Sequence, residues 1–491
     1  MNYSSTRTQN QEKVSAAQAI KQGLCVDGGL FMPDEIPTLS QGLINELCEL
    51  DYAKRAAKIL HMYLCDYTYD ELLSDCEKAY GKDRFKGGAA PLCHLDNNIN
   101  VLELWHGPTS AFKDMALQIM PRLLSRALEK TGEERCAYIL VATSGDTGKA
   151  ALEGYRDVEK VKIKVFYPVD GVSRVQKMQM ATQEGNNVSV CAIKGNFDNA
   201  QNGVKAIFAD KDIADRLNDK GYFLSSANSI NWGRLAPQIV YYISAYCDMI
   251  NDGKIKSGDE INVCVPTGNF GNIFAAYLAK EMGLPIKKFI CASNKNNILT
   301  DFINTGVYDR NREFYTTMSP SMDILISSNL ERLLYVTAGR EKTKEYMAEL
   351  SAKGKYTVDG EVLAKIKENF FGFYANEEEC AETINRYYKN GYLCDTHTGV
   401  ALCAASKYQK ETGDNTHIVV ASTASPYKFA ADVCRSIGID GDFADDYKAL
   451  SVLNGETKVE IPDNLDGLDK KDARFTKVIE VNEMPNEVLG E

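Results

Sequence analysis

The sequence predicts an α/β protein built on a mostly parallel sheet wrapped by helices, and three observations predict it. From Cys136 onward, short apolar β-rich runs alternate with loops and with helical periodicity, the pattern of strands joined by crossover helices. The strand candidates are short and apolar, as strands covered on both faces are. The unusual loops each follow such a run and lead toward a helix, the place where ligands gather in α/β sheets.

The elements follow in chain order. Residues 1–94 read as a largely helical N-terminal extension, closed by the Gly-rich break Gly87-Gly88-Ala89-Ala90. Strands are expected at 137–143, 161–167, 188–193, 261–266, 288–292 and 417–422. Helices are expected at 114–129, 149–156, 199–210, 237–250 and 272–282, where apolar residues recur every three or four positions. At 491 residues the chain is too long for one ordinary core. Segments 95–130 and 235–440 are therefore assigned to a large α/β domain and 131–234 to a smaller one. A charged helical insertion is expected at about 300–390, and an acidic, irregular tail at 441–491.

Composition narrows the function. Apolar content of 44% and charged content of 25% describe a globular chain, and a formal charge of −12 without any basic block argues against a nucleic-acid partner. No apolar run is long enough to cross a bilayer, and the polar start Met1-Asn2-Tyr3-Ser4-Ser5 lacks a secretory core, so a cytoplasmic location is expected. The fourteen cysteines lack Cys-x-x-Cys spacing, and Cys136, Cys191, Cys264 and Cys291 read as core residues, with no metal site.

The chemistry centres on Trp105-His106-Gly107-Pro108-Thr109-Ser110-Ala111-Phe112-Lys113-Asp114. Lys113 opens an apolar, helix-forming run, and an ammonium packed there is biased toward the neutral, nucleophilic amine that holds an aldehyde cofactor, the other reading being an ordinary solvated lysine at a helix start. Four further loops accompany it. Thr143-Ser144-Gly145-Asp146-Thr147-Gly148 offers hydroxyls and amides at a helix N-terminus, which serve either a carboxylate or phosphate or a plain helix cap. Pro266-Thr267-Gly268-Asn269-Phe270-Gly271-Asn272 has the form of a phosphate cradle, although its glycines also suit a tight turn. It matches neither the Walker nor the dinucleotide-binding spacing.

In Ser225-Ser226-Ala227-Asn228-Ser229-Ile230-Asn231-Trp232-Gly233-Arg234, the guanidinium of Arg234 would clamp a phosphate with Asn228 and Ser229 beside it. The other reading is a surface turn with a capping Asn or Ser. Ala421-Ser422-Thr423-Ala424-Ser425-Pro426-Tyr427-Lys428-Phe429 ends the last strand with hydroxyls that suit a pyridine nitrogen or a helix cap. His106 and His397 read as loop-shaping residues, since no Gly-x-Ser-x-Gly nucleophile elbow is present.

As an ordered set, these segments resemble the N-terminally extended threonine synthases of bacteria and fungi. The resemblance spans nearly the whole chain. It also includes Tyr3-Ser4-Ser5-Thr6-Arg7, the segment from Gly23 to Pro33, Ser319-Pro320-Ser321-Met322-Asp323-Ile324 and Ser328-Asn329-Leu330-Glu331-Arg332. Ser425 stands where many relatives carry histidine.

The resemblance implies a fold type II, tryptophan synthase beta-like, pyridoxal 5'-phosphate enzyme that converts O-phospho-L-homoserine and water into L-threonine and phosphate. It implies that Lys113 binds the cofactor covalently and then moves protons. It further implies that Gly268, Asn269, Phe270, Gly271 and Asn272 hold the cofactor phosphate, and that Thr423 meets the pyridine nitrogen. Ser144, Asp146 and Thr147 are expected near the substrate carboxylate or cofactor hydroxyl, and Asn228, Ser229 and Arg234 near the substrate phosphate. A bare Asp146 would repel an anionic substrate, so it is expected to be paired. A phospho-lyase releasing 2-oxobutyrate and ammonia would use the same scaffold. The sequence does not choose between a monomer and a homodimer.

Overall fold

The structure, a computed structural model, describes residues 1–8, 13–143, 145–170 and 172–490. Two sheets organise it. The larger has six strands in the spatial order Phe370–Tyr374, Ile286–Ser293, Ile261–Pro266, Ile418–Ser422, Ile99–Glu103 and Leu92–His94. All pairs are parallel except the last, which is antiparallel. The smaller sheet is parallel throughout, in the order Val478–Ile479, Val188–Ile193, Val161–Pro168, Cys136–Ala142 and Tyr222–Ser225. Strands such as Ile261–Pro266 and Ile418–Ser422 are buried at every residue, which is why they read as continuous apolar runs and not as alternating ones.

Every strand expected from the sequence is present within two residues of its bounds. Three segments placed outside the sheets nevertheless join them. Leu92–His94, assigned to the extension, pairs with Ile99–Glu103. Phe370–Tyr374, inside the expected insertion, becomes an edge of the large sheet. Val478–Ile479, in the tail expected to be irregular, completes an edge of the small sheet, and the tail also carries the helices Asp446–Thr457 and Met484–Leu489.

Two helix expectations need correction. The run at 114–129 is two helices, Asp114–Leu117 and Met120–Lys130, with Pro121 in the first turn of the second, where its missing N–H costs nothing. The helix expected to begin at Pro237 spans Trp232–Asn251, because Asn231 caps it by accepting from Gly233 N at 2.8 Å. The fourteen cysteines are free thiols. Cys191, Cys264 and Cys291 are buried, but Cys136 is only half-buried.

The N-terminal extension shares the main core and is not separate from it. Fully buried Trp232 meets the rings of Tyr3 and Tyr63 at centroid distances of 5.4 and 5.5 Å. Glu331 accepts from Thr6 Oγ1 at 2.6 Å and pairs with Arg7 at 2.7 Å, while buried Arg332 donates to Phe31 O and Ile230 O at 3.1 and 2.7 Å. The Ser328 to Arg332 segment thus bolts the start of the chain to the large sheet. Its Asn329 also reaches the loop after Ile261–Pro266, with Asn329 N donating to Asn269 O at 3.0 Å.

Candidate active site

Three of the chemistry-bearing loops leave the same end of the large sheet. Ile99–Glu103 and Ile261–Pro266 both run parallel to Ile418–Ser422, so the segments that follow them converge at the carboxyl ends. Backbone pairing then fixes two of them together. Phe112 N donates to Thr423 O at 2.8 Å, and Ser425 N donates to Ser110 O at 3.1 Å, across a bridge between Ala111 and Ala424. Lys113 is therefore anchored by its neighbours' main chain. Thr423 is buried beside it in sequence register.

The Lys113 side chain is 13% exposed. Its Nζ lies 3.4 Å from Ser321 Oγ and 3.8 Å from Asp146 Oδ2. Burial lowers its pKa from the ordinary 10.5; Asp146 works against that shift, while Arg234 and Lys428 reinforce it. Asp146 is paired, as expected: its Oδ1 lies 2.8 Å from Lys428 Nζ and accepts from Gln176 Nε2 at 2.9 Å. Burial alone would raise the Asp146 carboxyl, but Lys428 and Lys113 hold it well below the usual carboxylate range. Gly145, at φ 147°, leaves room for this arrangement, since a Cβ there would lie 2.5 Å from the Gln176 side chain.

The loop from Thr267 to Gly271 fits a phosphate. Phe270 adopts a left-handed backbone at φ 61°, and the helix Gly271–Glu281 begins without any side-chain cap, leaving the amides of its first turn open. Ser327 Oγ donates to Gly268 O at 2.6 Å, and a Cβ on Gly268 would meet Ser321 O at 2.7 Å, so the loop is held against a neighbouring backbone. Asn272 Oδ1 accepts from the hydroxyls of Tyr241, at 2.8 Å, and Tyr242. Its Nδ2 is buried without a partner, a donor left over for a ligand.

Arg234 supplies a second place for an anion. It is 7% exposed and donates from Nη1 to Ala227 O at 2.7 Å, and among the described residues no carboxylate pairs with it. Burial lowers its pKa to about 10, which leaves it a cation at neutral pH. The structure does not enclose every expected neighbour: Asn228 is exposed, and Ser229 and Thr147 are half-buried. Asn231, and neither Asn228 nor Ser229, caps the following helix. Ser144 lies outside the described residues.

Two groups at the amine escaped the sequence reading. Ser321 belongs to a segment singled out without a role. His397 was expected to shape a loop, and it holds Ser321: its Nε2 accepts from Ser321 N at 3.1 Å while its Nδ1 lies 2.8 Å from Asp395 Oδ2. This arrangement requires the tautomer protonated at Nδ1. Asp395 lies two residues before His397 and caps the helix Thr396–Thr412, so the helix start sets the ring's direction.

A largely buried amine and an uncapped helix N-terminus, both beyond the carboxyl ends of parallel strands in one sheet, are the arrangement of the pyridoxal-phosphate-dependent class of fold type II. The family described as "Pyridoxal-phosphate dependent enzyme" matches residues 87–424, "Threonine synthase N terminus" matches 2–80, and "Threonine synthase, C-terminal" matches 398–486. The chain is 35% identical over 492 residues to threonine synthase from Saccharomyces cerevisiae, covering 93% of this chain and 94% of the relative. The chain belongs to the threonine synthase family.

Threonine synthase-like 1 from Homo sapiens is 42% identical over 446 residues, covering 87% of this chain. The chain spans only about three-fifths of the length of that relative, 59%. The crystal structure of pyridoxal-phosphate-bound threonine synthase from Brucella melitensis superposes with a TM-score of 0.89 at 35% identity, covering 100% of this chain and 99% of the other. The yeast enzyme's structure gives 0.88 at 33% identity, with the same coverage.

Proposed function

We propose that this protein converts O-phospho-L-homoserine and water into L-threonine and phosphate, using pyridoxal 5'-phosphate. The observation that carries the proposal is one buried amine, Lys113, set among two anion-receptive places: the uncapped Gly271 helix start and the carboxylate-free guanidinium of Arg234.

In this reading Gly268, Asn269, Phe270, Gly271 and Asn272 hold the cofactor phosphate, Lys113 joins its aldehyde, and Thr423 faces its ring nitrogen. When bound, the cofactor supplies a conjugated ring that spreads negative charge from the substrate's Cα. With the cofactor holding the substrate amine, Lys113 would take protons from Cα and Cβ and, after phosphate has left Cγ, deliver one to Cγ and one back to Cα, and its lowered pKa suits that alternation. Arg234 grips the substrate phosphate before it departs from Cγ, with Asn228 and Ser229 at the rim. Thr147 stands near the substrate carboxylate or the cofactor hydroxyl. Asp146, neutralised by Lys428, orients Lys113 without repelling that anion. Water adds at Cβ.

The two sheets support dividing the chain into a large unit, 95–130 with 235–440, and a small unit, 131–234, with Leu92–His94 and Val478–Ile479 added to them as edge strands. The free thiols support a reducing, cytoplasmic setting.

The test is product analysis. Holoenzyme given O-phospho-L-homoserine should release threonine and phosphate in equal amounts. Dominant 2-oxobutyrate and ammonia, with little threonine, would replace this reading with a phospho-lyase.

A further inference from the structure

A second group of cations lies on the small sheet, at the amino ends of its strands and so remote from the loops that carry Asp146. A cavity of about 410 Å³ opens there, lined by Tyr138, Lys162, Lys164, Lys220, Tyr222 and Lys477, with Glu487 on the C-terminal helix Met484–Leu489. Among the described residues, four ammonium groups thus line a cavity with one carboxylate. Glu487 is already engaged: its Oε1 lies 2.6 Å from Lys164 Nζ, and its other oxygen pairs with Lys477. Lys220 Nζ donates to Leu489 O at 2.7 Å.

Lys162 is different. Directly opposite Tyr138 in the sheet, it is half-buried, and among the described residues no carboxylate pairs with it. Its Nζ sits 4.8 Å from the Tyr138 ring centroid and 5.3 Å from that of Tyr222. Two aromatic faces offset part of the cost of desolvating an ammonium, but they do not neutralise it, and Lys164 and Lys220 add repulsion. Burial, followed by those two lysines, lowers the Lys162 pKa from its ordinary value. Lys164 is buried but paired with Glu487, and Lys220 and Lys477 are exposed, so the partly desolvated ammonium left for an anion from outside to compensate is that of half-buried Lys162.

We propose that this cavity is a binding site for a compact dianion, a phosphate monoester or a short dicarboxylate, separate from the active site. The ammonium groups of Lys162, Lys164, Lys220 and Lys477 meet its charges, and the tyrosine rings with Leu217 and Val488 line its carbon skeleton. Its occupant also ties the C-terminal helix to the small sheet, because Lys164 and Lys220 already reach that helix.

The test is local. Holoenzyme is acylated with N-hydroxysuccinimidyl acetate, alone, with inorganic phosphate or with succinate, and each lysine is followed by peptide mass spectrometry. Acylation of Lys162 and Lys477 should slow about tenfold at an anion concentration some ten times its Kd, while exposed Lys256 is unaffected. Protection by phosphate alone identifies a phosphate monoester site, and by succinate alone a dicarboxylate site. In Lys162→Met, turnover should be unchanged and the protection of Lys477 lost. Failure of both anions to protect Lys162, equal slowing at Lys256, or undiminished protection of Lys477 in the variant overturns the proposal.

Discussion

Asp146 Oδ1 lies 2.8 Å from Lys428 Nζ, while its other oxygen faces Lys113 Nζ at 3.8 Å. One carboxylate therefore balances two buried amines, and the amine of interest is the more weakly held. Asp146→Asn should shift the pH profile of cofactor attachment to apoprotein downward, because Asp146 raises the Lys113 pKa. An upward shift, read by borohydride trapping across pH, would contradict this geometry. The variant also strands buried Lys428 and should lose about 3–5 kcal/mol of stability. Since the Asp146 pKa is depressed by folding, that contribution is present above about pH 4 and disappears only as pH falls through the lower folded value.

Lys113→Ala should remove covalent cofactor attachment and nearly all turnover while the protein stays folded. Borohydride reduction of cofactor-loaded wild type, followed by peptide mapping, should find the adduct at Lys113. An adduct at another lysine would redirect the whole assignment.

Arg234→Ala should raise KM for O-phospho-L-homoserine by about ten- to a hundredfold, the worth of a charge-assisted contact of ~1.5–3 kcal/mol. Stability should hold or improve, because among the described residues the guanidinium has no carboxylate partner to lose. Unchanged kinetics would take Arg234 out of the site.

Burial pushes the Asp114 carboxyl up to about 7, against two hydrogen bonds from Thr109, the N–H and Oγ1 each at 2.8 Å. A carboxyl whose pKa is raised by folding binds more protons in the native state, so stability should fall as pH rises from about 4 to 7. Asp114→Asn should flatten that slope in urea melts. A slope preserved in the variant would assign it to other groups.

His397→Ala should orphan the Ser321 N–H, costing about 1–3 kcal/mol, and release Ser321 from Lys113. Because Ser321 acts at the amine and not at the substrate phosphate, kcat should drop more than KM rises. A pure KM effect would place His397 outside this relay.

Much of this site was legible because its parts are local. The glycines of Gly268-Asn269-Phe270-Gly271, the helix-starting lysine and the hydroxyls after Ile418–Ser422 each announce themselves within a few residues, through backbone freedom, burial cost or capping. The strands were legible for the same reason, being unbroken apolar runs. Leu92–His94, Phe370–Tyr374 and Val478–Ile479 were not, because a strand of two to five residues carries little periodicity and exists through its neighbour's hydrogen bonds.

The sequence by itself determined that a single amine, two glycine-bearing turns and a guanidinium would stand at helix starts beyond parallel strands. Only the tertiary structure decided that Asp146 pairs with Lys428, that His397 grips Ser321 and that Asn329 braces the Gly268 loop. Those partners lie dozens to hundreds of residues apart. Charge pairing and hydrogen bonding act over a few ångströms of space, and chain order says nothing about which distant side chains the packing of two sheets will bring within that reach.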